Sequence, residues 1–583
     1  MSVFDFKSDE VNPSELHPRS VGTVQSVDNG KVFIQITSSE KLQLLRIGGL
    51  VAIPSGLNKY IIGLVSRIWR ERSKEKVENE IDEEIVIPEN NGALLTVVGS
   101  LLDREDNAKF SRTLDSLPGI NEEIFLLQDD NLHNFMNVVS QASVAAQETP
   151  LDFGVYSLDL NSSAYLDGNR LFQRHASLLG STGSGKSWTV ARILEQANKL
   201  KSSNIILFDL HGEYESLTYA DHYKIAGPSD LDDPSDNIMF LPYWLLSFEE
   251  IQALFVESSE FTAHNQVLVI HDTIKELKKE FIESSGKTEL AKTFTIDTPV
   301  PYSLDDLLSK IQYLNTEMVP GKRGEKKGPF NGDFTRLLAR LQSKINDKKY
   351  GFLYQLPDEW NKYDTLSTIA YNLFGTDSEN GKSGVKVLNL SEVPSDVLPV
   401  VIGTISKLLY NLQFWTSAEE RHPLLLACDE AHLYLPKVDR ANPIERSAIE
   451  NVERIAKEGR KYGVGLMVIS QRPSDVSETI LSQCNNIISL RLTNPTDQNT
   501  VRKLLPDSLG DMMQILPLMD IGEAIVVGDA VLLPTRIKVS PPEITPNSST
   551  IQFWDEWGKV VEREDDFFSS ITESMRLQKR SDF

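Results

Sequence analysis

Cysteine is nearly missing from this chain: two residues, Cys428 and Cys484, in 583. Two thiols cannot build a disulfide framework or a four-cysteine zinc site, and their scarcity fits a reducing compartment. Long apolar runs are missing as well. The longest, such as FLPYWLLSF from Phe240 to Phe248, fall far short of the roughly 20 residues a helix needs to cross a bilayer. The N-terminus, MSVFDFKSDEVNPSE, has no basic stretch leading into an apolar one and does not read as a signal peptide. These absences predict a cytoplasmic protein with no membrane segment. Positive charge is short too: 59 Lys and Arg against 84 Asp and Glu leave a net charge of −25. That excludes a surface coated with cations, but not a local basic surface, because the field that acts on a ligand is local.

What is present divides the chain into segments of different pattern. Residues 1–145 read as a small N-terminal β-barrel or sandwich. Within it SVDNGKVFIQI places Asn29-Gly30 at a turn and alternates Val32, Ile34 and Ile36 with polar or outward positions. ERSKEKVENEIDEE reads as a solvated charged loop, and SQASVAAQETP as a linker. Residues 151–245 and 385–540 show strand, glycine loop and helix, with continuous apolar runs such as NIILFDL that suit parallel strands covered on both faces. Residues 246–384 are helix-rich and look like an insertion. EAIVVGDAVLLPTRIKV reads as an antiparallel hairpin, and residues 541–583 as a charged tail. The fold class expected is α/β: a P-loop motor domain with a helical insertion, preceded by a small barrel.

Gly180, Ser181, Thr182, Gly183, Ser184, Gly185, Lys186 and Ser187 spell GSTGSGKS, a full match to G-x-x-x-x-G-K-[ST]. The glycines let backbone N–H groups turn inward as an anion nest, the helix that follows adds its positive end, and Trp188 beside the loop is a further nucleotide-binding candidate. Lys186 would reach the β- and γ-phosphates, and Ser187 would place a hydroxyl on Mg²⁺. The pattern therefore calls for ATP and Mg²⁺ as cofactors. The partner for this loop is PLLLACDEAHLYLP, a buried strand that delivers Asp429 and Glu430 to its C-terminal end, where ligands sit in open α/β sheets. Asp429 would hold the metal shell and Glu430 would orient and deprotonate the attacking water.

Two further motifs admit a GTPase reading: DLHG from Asp209 and NKYD from Asn361. Their context speaks against it. Only one helix and one strand fit between Ser187 and Asp209, with no room for a switch loop, and the segment before Asn361 is not a buried strand. DEAH also names a helicase class with two motor lobes, but no second lobe follows here. Gln471, closing the apolar strand GVGLMVIS, could hydrogen-bond the γ-phosphate or the attacking water. Arg460 reads either as a helix-end cation or as a finger reaching a neighbouring subunit's nucleotide. Glu213, with His211 and Tyr214, shares a short loop after a buried strand and is a further catalytic candidate.

The set RHASLLGSTGSGKSWT, FDLHGEY, DEAH, IAKEGRKYGVGLMVISQRP and QCNNIISLRLTNPTDQ, spanning about residues 170–500, resembles the HerA family of hexameric DNA translocases, relatives of the FtsK-type pumps. The resemblance implies a homohexameric ring with a RecA-like core, ATP between neighbours and double-stranded DNA in the channel. It implies that Lys186, Asp429, Glu430, Gln471 and Arg460 occupy the family's working positions. It also implies an effector partner, either a NurA-like nuclease or another enzyme such as a sirtuin-like protein in antiphage defence. The barrel face is where such a partner would dock.

An acidic protein that grips DNA needs a local basic surface. Residues 321–350 hold nine Lys and Arg (322, 323, 326, 327, 336, 340, 344, 348, 349) against three acids, in a chain of net −25. The function expected is ATP-driven translocation or unwinding of double-stranded DNA. The alternative is an ATPase platform that gates an attached effector without sustained transport.

Overall fold

The computed structural model describes residues 3–4, 6, 17–28, 30–72, 89–104, 108–114, 116–144, 149–232, 234–235, 237–321, 324–375, 383–506, 509–548, 552–560 and 566–577. Most of the charged run after Arg72, the middle of the expected linker, and Lys322 with Arg323 lie outside the described residues. The chain forms two compact units. The first comprises residues 1–200, 467–474 and 481–545; the second comprises residues 201–466, 475–480 and 546–583.

The first unit begins with a barrel. Six strands, Ser20–Asp28, Lys31–Ile36, Leu50–Pro54, Lys59–Arg72, Glu89–Leu102 and Glu123–Leu126, close on themselves because Lys31–Ile36 pairs with both Ser20–Asp28 and Glu89–Leu102. Every pairing around the ring is antiparallel. The alternation seen in the sequence explains this: Val32, Ile34 and Ile36 are buried while Gln35 is exposed, and they meet Val24, Val51, Ile61 and Leu95 in one core. Closure pairs each of these six strands with a neighbour on both sides.

One element differs from expectation. Residues 129–144, read as the end of the β segment and the start of a linker, form the helix Asp129–Val144. Two aspartates in its first turn suit the helix dipole, and Phe135, Met136 and Val139 at one-turn spacing bury a single face. The same unit then carries the hairpin Leu151–Tyr156 with Asp159–Leu166, followed in the sheet by Thr535–Val539, Glu523–Val527, Asn486–Ser489 and Ala176–Leu179. The expected antiparallel hairpin is thus present at 523–539.

The second unit has a parallel sheet in the order Ile238–Met239, Asp221–Ile225, Val385–Asn389, Ile205–Asp209, Leu424–Cys428. Ile205–Asp209 and Leu424–Cys428 are buried at every position, which is why both read as unbroken apolar runs. Helices Leu398–Trp415 and Pro443–Glu458 pack against each other. Between residues 248 and 374 lie the helices Phe248–Phe255, Ala263–Ser284, Leu304–Thr316, Thr335–Asn346 and Thr365–Phe374, with a two-stranded hairpin inserted between the third and fourth. Among the described residues no helix is long and apolar enough to cross a membrane.

Candidate nucleotide site

The phosphate loop lies in the first unit. Ala176–Leu179 is buried throughout and pairs in parallel with Met467–Ser470 on one side and Asn486–Ser489 on the other. Where it ends, Gly180 N–H donates to the Ser470 carbonyl at 3.2 Å and Ser181 N–H to the Arg491 carbonyl at 2.9 Å. Across the turn, Gly522 N–H donates to the Ser184 carbonyl at 3.0 Å. Three neighbouring segments therefore pin the loop. Gly183 and Gly185 have φ of +72° and +97°, values a side chain rarely tolerates.

The helix Lys186–Asn198 starts at once, and no side chain caps its N-terminus. At such an end the helix dipole favours an anion. Lys186 is only 8% exposed, and Ser184 Oγ is buried with no hydrogen-bond partner among the described residues. An inward lysine, an orphaned hydroxyl and an uncapped helix end together fit the phosphates of ATP and their Mg²⁺. Trp188, by contrast, is 44% exposed on the first helical turn. Thr182 Oγ1 donates to Gln471 Oε1 at 2.5 Å, so the expected sensor is brought to the loop. Arg491 also belongs here, and the sequence reading passed it over. Its carbonyl holds Ser181, and its Nε is buried without a hydrogen-bond partner among the described residues. An arginine inside the apolar run NIISLRL was the available signal.

The acidic strand lies in the second unit, where Leu424–Cys428 runs parallel to Ile205–Asp209. Asp429 follows with 3% exposure and Glu430 with 6%. Tyr214 Oη donates to Asp429 Oδ2 at 3.1 Å, the Glu430 N–H donates to Asp429 Oδ1 at 2.8 Å, and Tyr434 Oη donates to the Asp429 carbonyl at 2.8 Å. Glu430 has a left-handed φ of +46°, strain of order 1–3 kcal/mol of a kind found at functional sites. Its Oε2 lies 3.4 Å from His432 Nδ1. Burial pushes the Cys428 thiol up to about 12, so this cysteine packs as an apolar residue.

Asp209 explains the DLHGEY loop. Its fully buried carboxylate accepts N–H bonds from His211 (3.2 Å), Gly212 (2.9 Å), Glu213 (3.2 Å) and Tyr214 (3.0 Å). Burial raises its pKa and the four N–H donors oppose that rise. Asp209 is therefore the anchor of a bracket that aims Tyr214 at Asp429. Burial, then the charges of Asp429, Asp209 and Glu213, hold the Tyr214 phenol well above its ordinary value, so it stays a donor. Glu213 is half-buried and His211 exposed on the same bracket. The second GTPase-like motif is also accounted for: Asn361 Oδ1 accepts from the buried Trp244 Nε1 at 3.2 Å.

Arg460 is exposed in the short turn Gly459–Tyr462. Leu424 N–H donates to the Gly463 carbonyl at 2.9 Å, which places this turn at the amino ends of the parallel strands. Asp429 and Glu430 sit at the carboxyl end of the same strand. Arg460 is therefore remote from its own chain's acidic pair. Its neighbour Arg454 lies over the Tyr410 ring at 4.3 Å and 3.9 Å from Glu458.

Residues 155–409 match the family described as Helicase HerA, central domain, and residues 378–550 match Helicase HerA-like C-terminal. The DNA double-strand break repair helicase HerA of Sulfolobus acidocaldarius is 30% identical over 67% of this chain and 70% of its own length. Probable helicase MJ1565 of Methanocaldococcus jannaschii is 29% identical over 64% of each chain, so the match spans less than two thirds of that relative. Among solved structures, VirB4 of Thermoanaerobacter pseudethanolicus aligns with a TM-score of 0.46 at 16% identity, covering 68% of this chain and 96% of that one. With the glycine loop, the acidic strand end, the two family matches and the 30% identity to the Sulfolobus acidocaldarius HerA, the chain belongs to the HerA helicase family and carries its P-loop ATPase core.

Proposed function

We propose that the protein is an ATP-driven motor that translocates double-stranded DNA as a homohexameric ring. The observation that carries the reading is the buried Lys186 behind a pinned glycine loop and an uncapped helix end, a site built for a triphosphate. In this reading Lys186 and the loop N–H groups hold the β- and γ-phosphates, and Ser187 and Asp429 are the magnesium ligands. The metal supplies neutralisation of charge that builds on the phosphate oxygens during transfer. Glu430 accepts the proton of the attacking water, Gln471 contacts the γ-phosphate, and Glu213 acts from the Asp209 bracket. Arg460, remote from its own acidic pair, serves a neighbouring chain's nucleotide. The relative from Sulfolobus acidocaldarius, a DNA double-strand break repair helicase by name, supports DNA as the substrate.

The finer part of the proposal is an effector partner, a NurA-like nuclease or a sirtuin-like enzyme. The barrel unit offers exposed Leu57, Leu117 and Ile120 for such docking. The test is ATP hydrolysis titrated with linear duplex DNA, with Lys186→Ala as control. Stimulation that the variant loses is the expected result. Hydrolysis in the wild type that ignores DNA would overturn translocation and favour an ATPase platform gating its effector.

A further inference from the structure

The hairpin inside the helical insertion has no packing role. Its strands, Met318–Gly321 and Gly324–Lys327, pair only with each other. The second strand is exposed at every residue and the first has no buried one. Isolated two-stranded hairpins are marginal in water, and this one buries no side chain to offset its ordering.

Its base is nevertheless fixed. The Gly328 N–H and Asn331 Nδ2 both donate to the Glu317 carbonyl, at 2.9 and 3.1 Å. Asn315 accepts the Gly332 N–H on its carbonyl at 2.9 Å and the Phe334 N–H on Oδ1 at 2.8 Å. The arm is held at a set place on the helices Leu304–Thr316 and Thr335–Asn346, while its side chains are left to solvent.

Charge is what those side chains carry. The register pairs Met318 with Lys327, Val319 with Lys326 and Pro320 with Glu325. Directly opposed residues share a face, so Glu325 lies on the Lys327 face and Lys326 stands on the other with no acid beside it. A Cβ at Gly321 would come within 3.3 Å of Lys326 Cγ and 2.8 Å of the Gly324 carbonyl oxygen, so glycine leaves room for the lysine stem. Neither lysine has an ion-pair partner among the described residues. Three other cations of the basic segment, Arg340, Lys344 and Lys348, have partners within the fold. Arg340 is bound to Glu260 at 2.6 Å and the Phe255 carbonyl at 2.8 Å, Lys348 lies 3.5 Å from Asp232, and Lys344 sits over the Tyr350 ring at 5.1 Å.

We infer that this hairpin is a DNA-contacting arm, with Lys326 and Lys327 on the phosphate backbone of the duplex. The inference rests on the proposed reading that double-stranded DNA is the substrate, and adds where the chain touches it. Ammonium groups act as point charges and read no base edge. The contact is therefore independent of sequence and sensitive to salt, with each neutralised phosphate adding about 0.9 to the slope of log affinity against log salt. On a chain of net −25, unpaired lysines on a projecting arm create the local field that a polyanion needs.

The test uses the full chain and a fluorescent linear duplex, with binding followed by anisotropy across a salt series beside a non-hydrolysable ATP analogue. Lys326→Glu with Lys327→Glu is compared with Lys326→Gln with Lys327→Gln, and with Lys292→Glu as a control, since Lys292 already pairs with Glu289. The expected result is a loss of about tenfold or more in affinity at low salt and a salt slope smaller by about 1 to 2. Thermal midpoint and DNA-free ATP hydrolysis stay at wild-type values, because the arm buries nothing and is absent from the nucleotide machinery. Wild-type affinity and slope in both double variants would overturn the arm while leaving the motor reading intact. Loss of a protein partner with DNA binding unchanged would overturn it as well. A wild-type chain that binds no duplex would overturn the motor reading itself.

Discussion

At the scale of single residues, the acidic strand end shows how Asp429, the proposed magnesium ligand, is oriented by its own chain. Asp429 is held on one carboxylate oxygen by the Tyr214 hydroxyl and on the other by the Glu430 N–H. These two bonds set the plane of the group. Groups that orient a metal ligand usually change metal affinity 10- to 100-fold when removed, an order-of-magnitude range. Tyr214→Phe keeps the buried ring and deletes only the donor. We expect the Mg²⁺ concentration needed for tight binding of a fluorescent ATP analogue to rise about tenfold, while binding without metal is unchanged. Tyr434→Phe is the control, because Tyr434 donates to the Asp429 carbonyl and not to its carboxylate. Equal Mg²⁺ titrations for wild type and Tyr214→Phe would remove Tyr214 from this role. None of this pairing was readable from FDLHGEY alone. The residues that cluster there were visible, but Tyr214 and Asp429 stand 215 positions apart.

At the scale of elements, the insertion contains a buried cation with a definite consequence for pH. Lys278 on the helix Ala263–Ser284 is 1% exposed and donates to the carbonyls of Ile296 at 2.6 Å and Thr298 at 2.8 Å. Burial lowers its pKa to about 8. Above its ordinary value near 10.5 both folded and unfolded lysine are neutral, and below about 8 both are charged. Between them the unfolded chain binds the proton and the folded chain does not, so stability rises with pH across that window. Lys278→Met should abolish that rise. The difference in thermal midpoint between wild type and variant, followed from neutral pH to pH 10, should shift in favour of wild type as pH increases. A constant difference would mean that Lys278 keeps an ordinary pKa. The helix-rich character of residues 246–384 was legible in the sequence. The lysine's burial was not, because the loop it ties down comes from further along the chain.

At the scale of the whole molecule, the position of Arg460 carries the strongest prediction. It stands at the amino ends of strands whose carboxyl ends hold Asp429 and Glu430. If the ring reading holds, Arg460→Ala and Glu430→Gln chains are each inactive for opposite reasons. The first has an intact site but no finger to lend, and the second lends a finger to its neighbour but cannot activate water. Mixing the two under conditions that allow subunit exchange should restore part of the ATP hydrolysis that each lacks alone. Mixtures no more active than the separate variants would remove Arg460 from any role between chains.

The sequence by itself determined the nucleotide loop, the acidic strand end, the α/β core and the barrel. In each of these the chemistry is local. Glycines at fixed spacing make an anion nest, an unbroken apolar run makes a doubly covered strand, and alternation makes one wall of a barrel. The tertiary structure decided what depends on distant partners: Asp209 as anchor, Tyr214 on Asp429, Arg491 and Gly522 bracing the loop, and Arg460 far from its own acids. It also made the end of the expected β segment and the start of the expected linker into the helix Asp129–Val144, and left Lys326 and Lys327 on an arm while Arg340 is bound within the fold. Short-range rules fix what a stretch of chain becomes. Only the folded chain fixes which buried polar groups must find one another, because desolvation penalises any left alone.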